Sequence, residues 1–314
     1  MSSLGYLGRR LLQLIPVVIG VTLVSFLLIH LIPGDPARAA LGIHATPKAV
    51  AALDHSYGLD KSLPEQYWLF LSRLVQGNFG TSLYFQVSAG SLIWGRLPVT
   101  LWLIAYAVVL IILISVPLAA IAASRQDSAR DHAVRLIPLF GLGMPPFWIG
   151  LVLIELLALK AHIFPVAGYG SGFFGHVRYM FLPSLTVAFS LSPTVIRSLR
   201  ASMLDVLGAE YVVTARSKGL SPTRLLTRHV LRNAVIPTIT VLGINIGFLI
   251  GSTVIIEQVF SLPGIGQLMI QSIFNRDFTV VQGVTIVFAI MVVLINLLVD
   301  LTYARLDPRV RLGE

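Results

Sequence analysis

Val99-Thr-Leu-Trp-Leu-Ile-Ala-Tyr-Ala-Val-Val-Leu-Ile-Ile-Leu-Ile-Ser-Val-Pro-Leu-Ala-Ala-Ile-Ala-Ala123 holds no charged side chain. About 20 apolar residues in a helix cross the hydrocarbon core of a bilayer, and this stretch is longer than that. Residues of roughly 11–32, 134–159, 234–256 and 279–303 read the same way. A sixth stretch, 181–200, is weaker because Pro183, Pro193, Arg197 and Arg200 interrupt or end it. It is counted because the long basic segment after it would otherwise fall on the wrong side of the membrane. The composition of the whole chain agrees. Of 314 residues, 56% are hydrophobic and 12% charged, with a mean hydropathy of +0.85. A soluble chain carries about 25% charged residues. The predicted fold is an all-α membrane protein with six transmembrane helices, which excludes a cytosolic enzyme.

Orientation follows from the cations. With the N-terminus inside, the inner segments carry Arg9, Arg10, Arg125, Arg130, Arg135, Arg197, Arg200, Arg216, Lys218, Arg224, Arg228, Arg232, Arg305, Arg309 and Arg311, which is 15 of the 23 basic residues. Five of the remaining 8 lie in one long outer loop, a class that translocates largely regardless of charge. The positive-inside rule therefore gives both termini inside. A net charge of +9 and a pI of about 10.2 are accounted for by topology, without nucleic acid. Arg9 and Arg10 before the first apolar run, and Ala37-Arg38-Ala39 after it, resemble a signal peptide. That run exceeds the 7–15 residues of a cleaved signal, so an uncleaved anchor is expected. The chain has no cysteine, which excludes disulfides, thiolate metal sites and a cysteine nucleophile.

The chain thus divides into an N-terminus with the first span (1–32), an outer loop (33–98), a core of five spans (99–303) and a tail (304–314). In the outer loop, Pro33-Gly34-Asp35-Pro36 must leave the helix. Thr46-Pro47 and Leu63-Pro64-Glu65 read as helix starts. The second opens an amphipathic stretch with Tyr67, Trp68, Phe70, Leu71 and Leu74, closed by Gly77 and expected as a helical cap on the outer face. Between the last two spans, residues 257–278 begin Glu-Gln-Val-Phe-Ser-Leu-Pro-Gly-Ile-Gly. Pro263, Gly264 and Gly266 break the chain there, and Leu268, Met269, Ile270 and Ile273 are too few to span, so a re-entrant or surface helix is expected.

Residues 201–233 form the substantial inner loop. Its middle runs Glu210-Tyr-Val-Val-Thr-Ala-Arg-Ser-Lys-Gly219-Leu-Ser221-Pro222. Gly219 occupies the place of a helix C-cap glycine, with Arg216 and Lys218 in the last turn as the helix dipole prefers. Ser221-Pro222 reads as an N-cap followed by proline at the first helical position. Helix, left-handed glycine turn and second helix follow, with Leu207, Tyr211, Thr214 and Ala215 as an apolar stripe. Two uses fit: a docking knuckle, or an amphipathic helix lying on anionic lipid.

Glu210 through Arg216 with Lys218-Gly219-Leu220-Ser221 resembles the inner-loop motif of ATP-binding-cassette importer permeases, in the dipeptide, oligopeptide and nickel branch. Leu31-Ile-Pro-Gly-Asp-Pro36, Tyr57-Gly-Leu-Asp-Lys61, Gln76-Gly-Asn-Phe-Gly-Thr-Ser82, Phe260-Ser-Leu-Pro-Gly-Ile-Gly266, Asn275-Arg-Asp-Phe278 and Leu306-Asp-Pro-Arg-Val-Arg311 resemble the same branch. Against the broader family, Val213-Thr214-Ala215 stands where Glu-Ala-Ala is usual, and Arg232 where a proline is expected. The resemblance implies a type I importer permease in the cytoplasmic membrane, paired with a second, homologous permease. It further implies two cytoplasmic ATPase subunits that bind ATP and Mg, and an external binding protein delivering a di- or oligopeptide. In that scheme Glu210, Tyr211, Thr214, Ala215, Arg216, Lys218, Gly219, Leu220 and Ser221 form the ATPase-coupling loop, and Phe260, Pro263 and Gly264 an outer gate. Nickel or another small solute is the alternative cargo.

Other chemistries find little support. ATP hydrolysis on this chain would need a phosphate loop ending Gly-Lys-Ser/Thr. None of the four lysines, Lys48, Lys61, Lys160 and Lys218, follows a glycine. Seven scattered histidines form no His-Glu-x-x-His pattern, and of these His162 and His176 share an outer loop and are expected to stand apart. Ser252 after Gly251 reads as a packing pair rather than a nucleophile. Glu155 and Asp300 lie near span ends beside Lys160 and Arg305, so no carboxylate is placed at the midplane, against a proton-coupled secondary carrier. Asn245, Ser252 and Asn296 are the polar residues that could line a path.

Overall fold

The computed structural model describes residues 15–27, 46–48, 50–51 and 60–306. The Pro33–Pro36 exit, Tyr57–Lys61 for the most part, and the tail beyond Leu306 lie outside these residues. The described elements are helices: α1 (Ile15–Leu27), α2 (Leu63–Val75), α3 (Ala89–Ser124), α4 (Ala129–Gly143), α5 (Pro146–Leu153), α6 (Gly172–Leu207), α7 (Glu210–Ser217), α8 (Arg232–Val259), α9 (Ile265–Phe274) and α10 (Phe278–Leu306). π-Helical turns at Ile154–Lys160 and Leu225–Leu231 follow α5 and the short turn Pro222–Arg224. Among the described residues the one β feature is an isolated bridge, Thr81 to Ser88.

Three described helices are long and apolar enough to cross a membrane: Ala89–Ser124, Gly172–Leu207 and Phe278–Thr302. Pro222–Asn245 with Gly247–Val259, bent by 53°, makes a fourth if the pair is one span. Two expectations change. Residues 134–159 are not one helix, because Met144 is extended and Pro145 caps a new start with Pro146 at its first position. Residues 181–200, the weak candidate, belong to a continuous 36-residue helix that carries Pro183 and Pro193 inside it. The reason is packing. In α6 67% of the most apolar stretch is buried, against 33% in α3 and 22% in Phe278–Thr302, and Ser184, Thr186 and Ser192 are among its buried residues while Arg197 is exposed.

The chain forms two compact units, Met1–Thr100 with Pro263–Val293, and Leu101–Leu262 with Leu294–Glu314. In the first, α2 starts at Ser62, whose N–H donates to Glu65 Oε2 at 3.2 Å. It is not a free cap. Tyr67 Oη and Thr22 Oγ1 share a 3.0 Å hydrogen bond, and Phe26 of α1 packs against Tyr67 and Phe70 at centroid distances of 5.4 and 6.1 Å, while Trp68 stays exposed. The Asn78–Ser82 and Asn275–Phe278 motifs meet: buried Ser82 donates through Oγ to the buried carboxylate of Asp277. Ile265 N–H donates to Thr100 Oγ1 at 3.0 Å and Arg96 to Gln271 Oε1 at 3.2 Å, which fixes α9 as a short anchored helix.

In the second unit α6 packs against α4, α5, α7 and, most extensively, α8. Gly150 of α5 admits the ring of Phe260, whose carbonyl accepts from Gly168 N–H at 3.3 Å. Gly243 of α8 lets Val299 approach: a Cβ there would lie 2.6 Å from Val299 Cγ1. Gly247, one turn on, has nothing within 4 Å of the same position. Alanine gains about 1 kcal/mol over glycine in a helix interior, whereas overpacking costs about 1–3 kcal/mol. Gly243→Ala is therefore expected to lower the thermal midpoint of the detergent-purified protein. Gly247→Ala is expected to hold or raise it; equal midpoints would rule out the close approach.

Candidate functional site at the Gly219 turn

The last turn of α6 closes at Gly208, and Ala209 turns extended to start α7. Glu210 sits in the first turn of α7 and Arg216 in the last, each where the helix dipole favours its charge. Lys218 is the C-cap, followed by Gly219 at φ +80°. Gly219 N–H donates to Arg216 O at 3.0 Å and Leu220 N–H to Ala215 O at 3.3 Å. These two bonds are the Schellman pattern, which satisfies carbonyls a helix end leaves open and requires a left-handed residue after the cap. Ser221 is the N-cap of the next turn and Pro222 its first residue, as the sequence predicts, though the Ser221 side chain makes no capping bond.

The buried face of the knuckle differs from the predicted stripe. Val212 is fully buried, with Ala119 and Ala123 of α3, Leu199 and Met203 of α6, Leu225, Val230 and Ala234 in one apolar cluster. Leu207 and Ala215 pack against that cluster. Tyr211 and Thr214 do not: both are exposed, and Thr214 Oγ1 turns back to Glu210 O at 2.9 Å. Tyr211 Oη instead accepts from Asn233 Nδ2 at 2.9 Å, and the same amide donates to His229 O at 2.8 Å. The outward face therefore presents Glu210, Tyr211, Val213, Thr214, Arg216 and Lys218 to solvent. The short helix thus has an apolar back pinned at Val212 and an exposed front that carries Glu210, Arg216 and Lys218.

The other candidate residues stand apart from this site. Asn245 Nδ2 donates to Val241 O at 2.7 Å and Ser252 Oγ to Leu249 O at 2.8 Å, each within α8, while Asn296 is exposed on α10. Phe260 is buried against Gly150, Pro263 is exposed and Gly264 caps α9. Glu155 and Lys160 pair at 3.3 Å. His162 and His176 each bond a backbone carbonyl, Lys160 O at 3.1 Å and Tyr169 O at 3.0 Å, and His176 stacks on Tyr169. Among the described residues no group of three metal-binding side chains comes together.

Sequence reasoning passed over two groups. Glu257, placed in the outer loop, lies in the last turn of α8 and is fully buried. Asp131, unremarked, is fully buried as well. Arg200, counted as an inner cation, reaches it with Nε and Nη2 at 2.6 Å each. Arg135 adds a contact at 3.0 Å and Asp127 N–H another at 3.0 Å. The Arg200 hydrogen bonds hold the Asp131 carboxyl below the usual carboxylate range, against the opposing push of burial. Ser128-Ala-Arg-Asp131 marks a helix N-cap, and Ser128 Oγ accepts from Asp131 N–H at 3.3 Å, but nothing local marks Arg200 as the carboxylate's partner.

Residues 115–312 match the family described as binding-protein-dependent transport system inner membrane component, and residues 3–104 its N-terminal counterpart. The chain is 36% identical over 311 residues to the oligopeptide transport system permease protein AppB of Bacillus subtilis, covering 97% of this chain and 98% of the relative. It is 36% identical over 308 residues to the glutathione transport system permease protein GsiC of Escherichia coli K12, covering 98% and 99%. Among solved structures, the inward-facing MetNI methionine ABC transporter aligns with a TM-score of 0.54 at 16% identity, over 66% of this chain and 94% of that one. An amino acid ABC transporter solved with histidines aligns at 0.50 and 17% identity, over 68% and 94%. At those identities the likeness concerns the fold. Sequence family, full-length relatives and fold agree: the chain belongs to the inner membrane components of binding-protein-dependent transport systems, as a multi-pass ABC importer permease.

Proposed function

We propose that this permease carries di- or oligopeptides inward and that α7 with the Gly219 turn couples it to separate ATPase subunits. Six spans with both termini inside, a second homologous permease, two ATPases holding ATP and Mg, and an external binding protein complete the assembly. The names of the relatives support a peptide cargo, since glutathione is itself a short peptide. The observation that carries the coupling role is the knuckle itself, buried on one side at Val212 and presenting Arg216 and Lys218 on the other. Because none of the four lysines follows a glycine, a phosphate-binding loop ending Gly-Lys is absent, which fits an energy source on another polypeptide. Asn245, Ser252 and Asn296 are the proposed path-lining residues, and Phe260, Pro263 and Gly264 the proposed outer gate.

The test is co-purification of a tagged copy from its native membrane, followed by ATPase assay in vesicles with the binding protein and a dipeptide–tripeptide mixture. Stimulation by peptide is expected. The double variant Arg216→Ala/Lys218→Ala is expected to recover severalfold less ATPase per permease while inserting normally. A wild-type chain that purifies without ATPase subunits would sink the coupling role proposed for α7. Full recovery by the double variant would remove these two cations from the contact.

A further inference from the structure

Arg200 stands eight residues before Gly208, about 12 Å along α6 at the helical rise. The side chains on either side of it, Leu199 and Met203, sit in the apolar cluster that holds Val212 of the knuckle. Arg200 itself points elsewhere, to the first turn of α4, where its fork closes on both oxygens of Asp131 at 2.6 Å. The Arg200 side chain is 16% exposed and that of Asp131 0%. The carboxylate also accepts from Arg135 and from the N–H of Asp127, a residue held at φ +58°. Asp127 in turn pairs with Arg135 at 3.2 Å, so two acids and two arginines close a neutral cluster.

Stability alone is a poor reason for such a cluster, because well-packed apolar replacements of buried ion pairs are often neutral or stabilising. What an apolar contact lacks is direction. Burial of apolar area is non-directional, and packed helices slide on it in shear motions. A two-bond fork fixes both distance and angle and gives way only by breaking. The knuckle rests on Ala119 and Ala123 of α3 and on α6 through sliding contacts of the first kind. The Arg200–Asp131 fork ties α6 to the first turn of α4 through a contact of the second kind, and the Asp127 N–H bond joins the α3–α4 turn to the same carboxylate.

We propose that Arg200 and Asp131 are a positioning pair that locks the inner ends of α3, α4 and α6 into one body, so that displacement of α7 by ATPase closure reaches the α3–α4 turn as well as α6. This rests on the coupling role proposed for α7. Without the pair, α7 moves α6 and the α3–α4 turn stays behind.

The experiment is hydrogen exchange on the purified complex with its ATPases, with and without ATP, Mg and vanadate. In the wild type, exchange in α7 and in the peptide covering 120–131 is expected to change together, each at least fivefold. Asp131→Leu/Arg200→Met keeps volume without charge. It is expected to keep its ATPases, its basal hydrolysis within twofold and its α7 response, while the 120–131 response falls below twofold. Arg200→Lys keeps the charge but loses the fork, and is expected to lie between. A 120–131 response that persists in the double variant overturns the proposal, as does a wild type in which α7 responds and 120–131 does not. Failure of both variants to assemble would make the pair a folding element, which also overturns it. A wild-type complex with ATPases but no α7 response, or without ATPases, would instead sink the coupling role itself.

Discussion

Gly219→Val is expected to cut ATP-driven uptake at least tenfold while the chain still inserts in the membrane. The cause is backbone geometry, not space. A Cβ at Gly219 would meet nothing within 4 Å, but the residue holds φ +80°. A left-handed backbone costs an L-residue roughly 1–2 kcal/mol, and a β-branched residue there is a genuine outlier. The turn escapes that cost by unwinding, and with it go the two bonds from Gly219 and Leu220 N–H that close α7. Arg216 and Lys218 then lose their fixed place. The mechanism gives an order. Gly219→Asn, whose short amide tolerates the left-handed region, is expected near wild type, Gly219→Ala lower, and Gly219→Val lowest. Uptake and ATPase measured across the series check this, and equal loss in all three would point to a direct glycine contact with a partner.

Val212→Asp attacks the same knuckle from behind. Val212 is fully buried among the apolar side chains of Leu199, Met203, Leu225 and Val230. Burying an unpaired carboxylate costs several kcal/mol, so the group reaches water by detaching the helix. A free-energy change of about 1.4 kcal/mol shifts an equilibrium tenfold. Trypsin cleavage after Arg216 or Lys218 in membrane vesicles is therefore expected to accelerate at least tenfold over wild type. Val212→Ala opens a smaller defect and is expected to change the rate only a few fold. An unaltered rate in Val212→Asp would mean that α7 is not held by this contact.

The two variants separate what the sequence states locally from what it leaves to packing. Gly219 was legible because a C-cap glycine, basic last turn and Ser221-Pro222 restart are all encoded within a few residues. Val212 was not, since an eight-residue helix has too few turns to reveal which face is covered. The stripe through Tyr211 and Thr214 was a fair alternative until α3 and α6 chose the other side. Span 181–200 held although its local signal was weak, and it proved longer than the sequence suggested. Its prolines and arginines lowered its apparent quality, yet Pro183 and Pro193 lie buried in the continuous helix and Arg200 finds Asp131, while Arg197 stays exposed.

By itself the sequence determined that the chain is helical, lies in a membrane and carries a glycine-closed helix after Glu210. Each of these is a property of contiguous residues: apolar length and backbone handedness. Only the tertiary structure decided that Ser82 meets Asp277 across 195 positions and Arg200 meets Asp131 across 69. Such pairs carry no local signal. A buried charge or hydroxyl becomes affordable only when packing brings its partner within hydrogen-bond distance, and packing is a property of the folded chain.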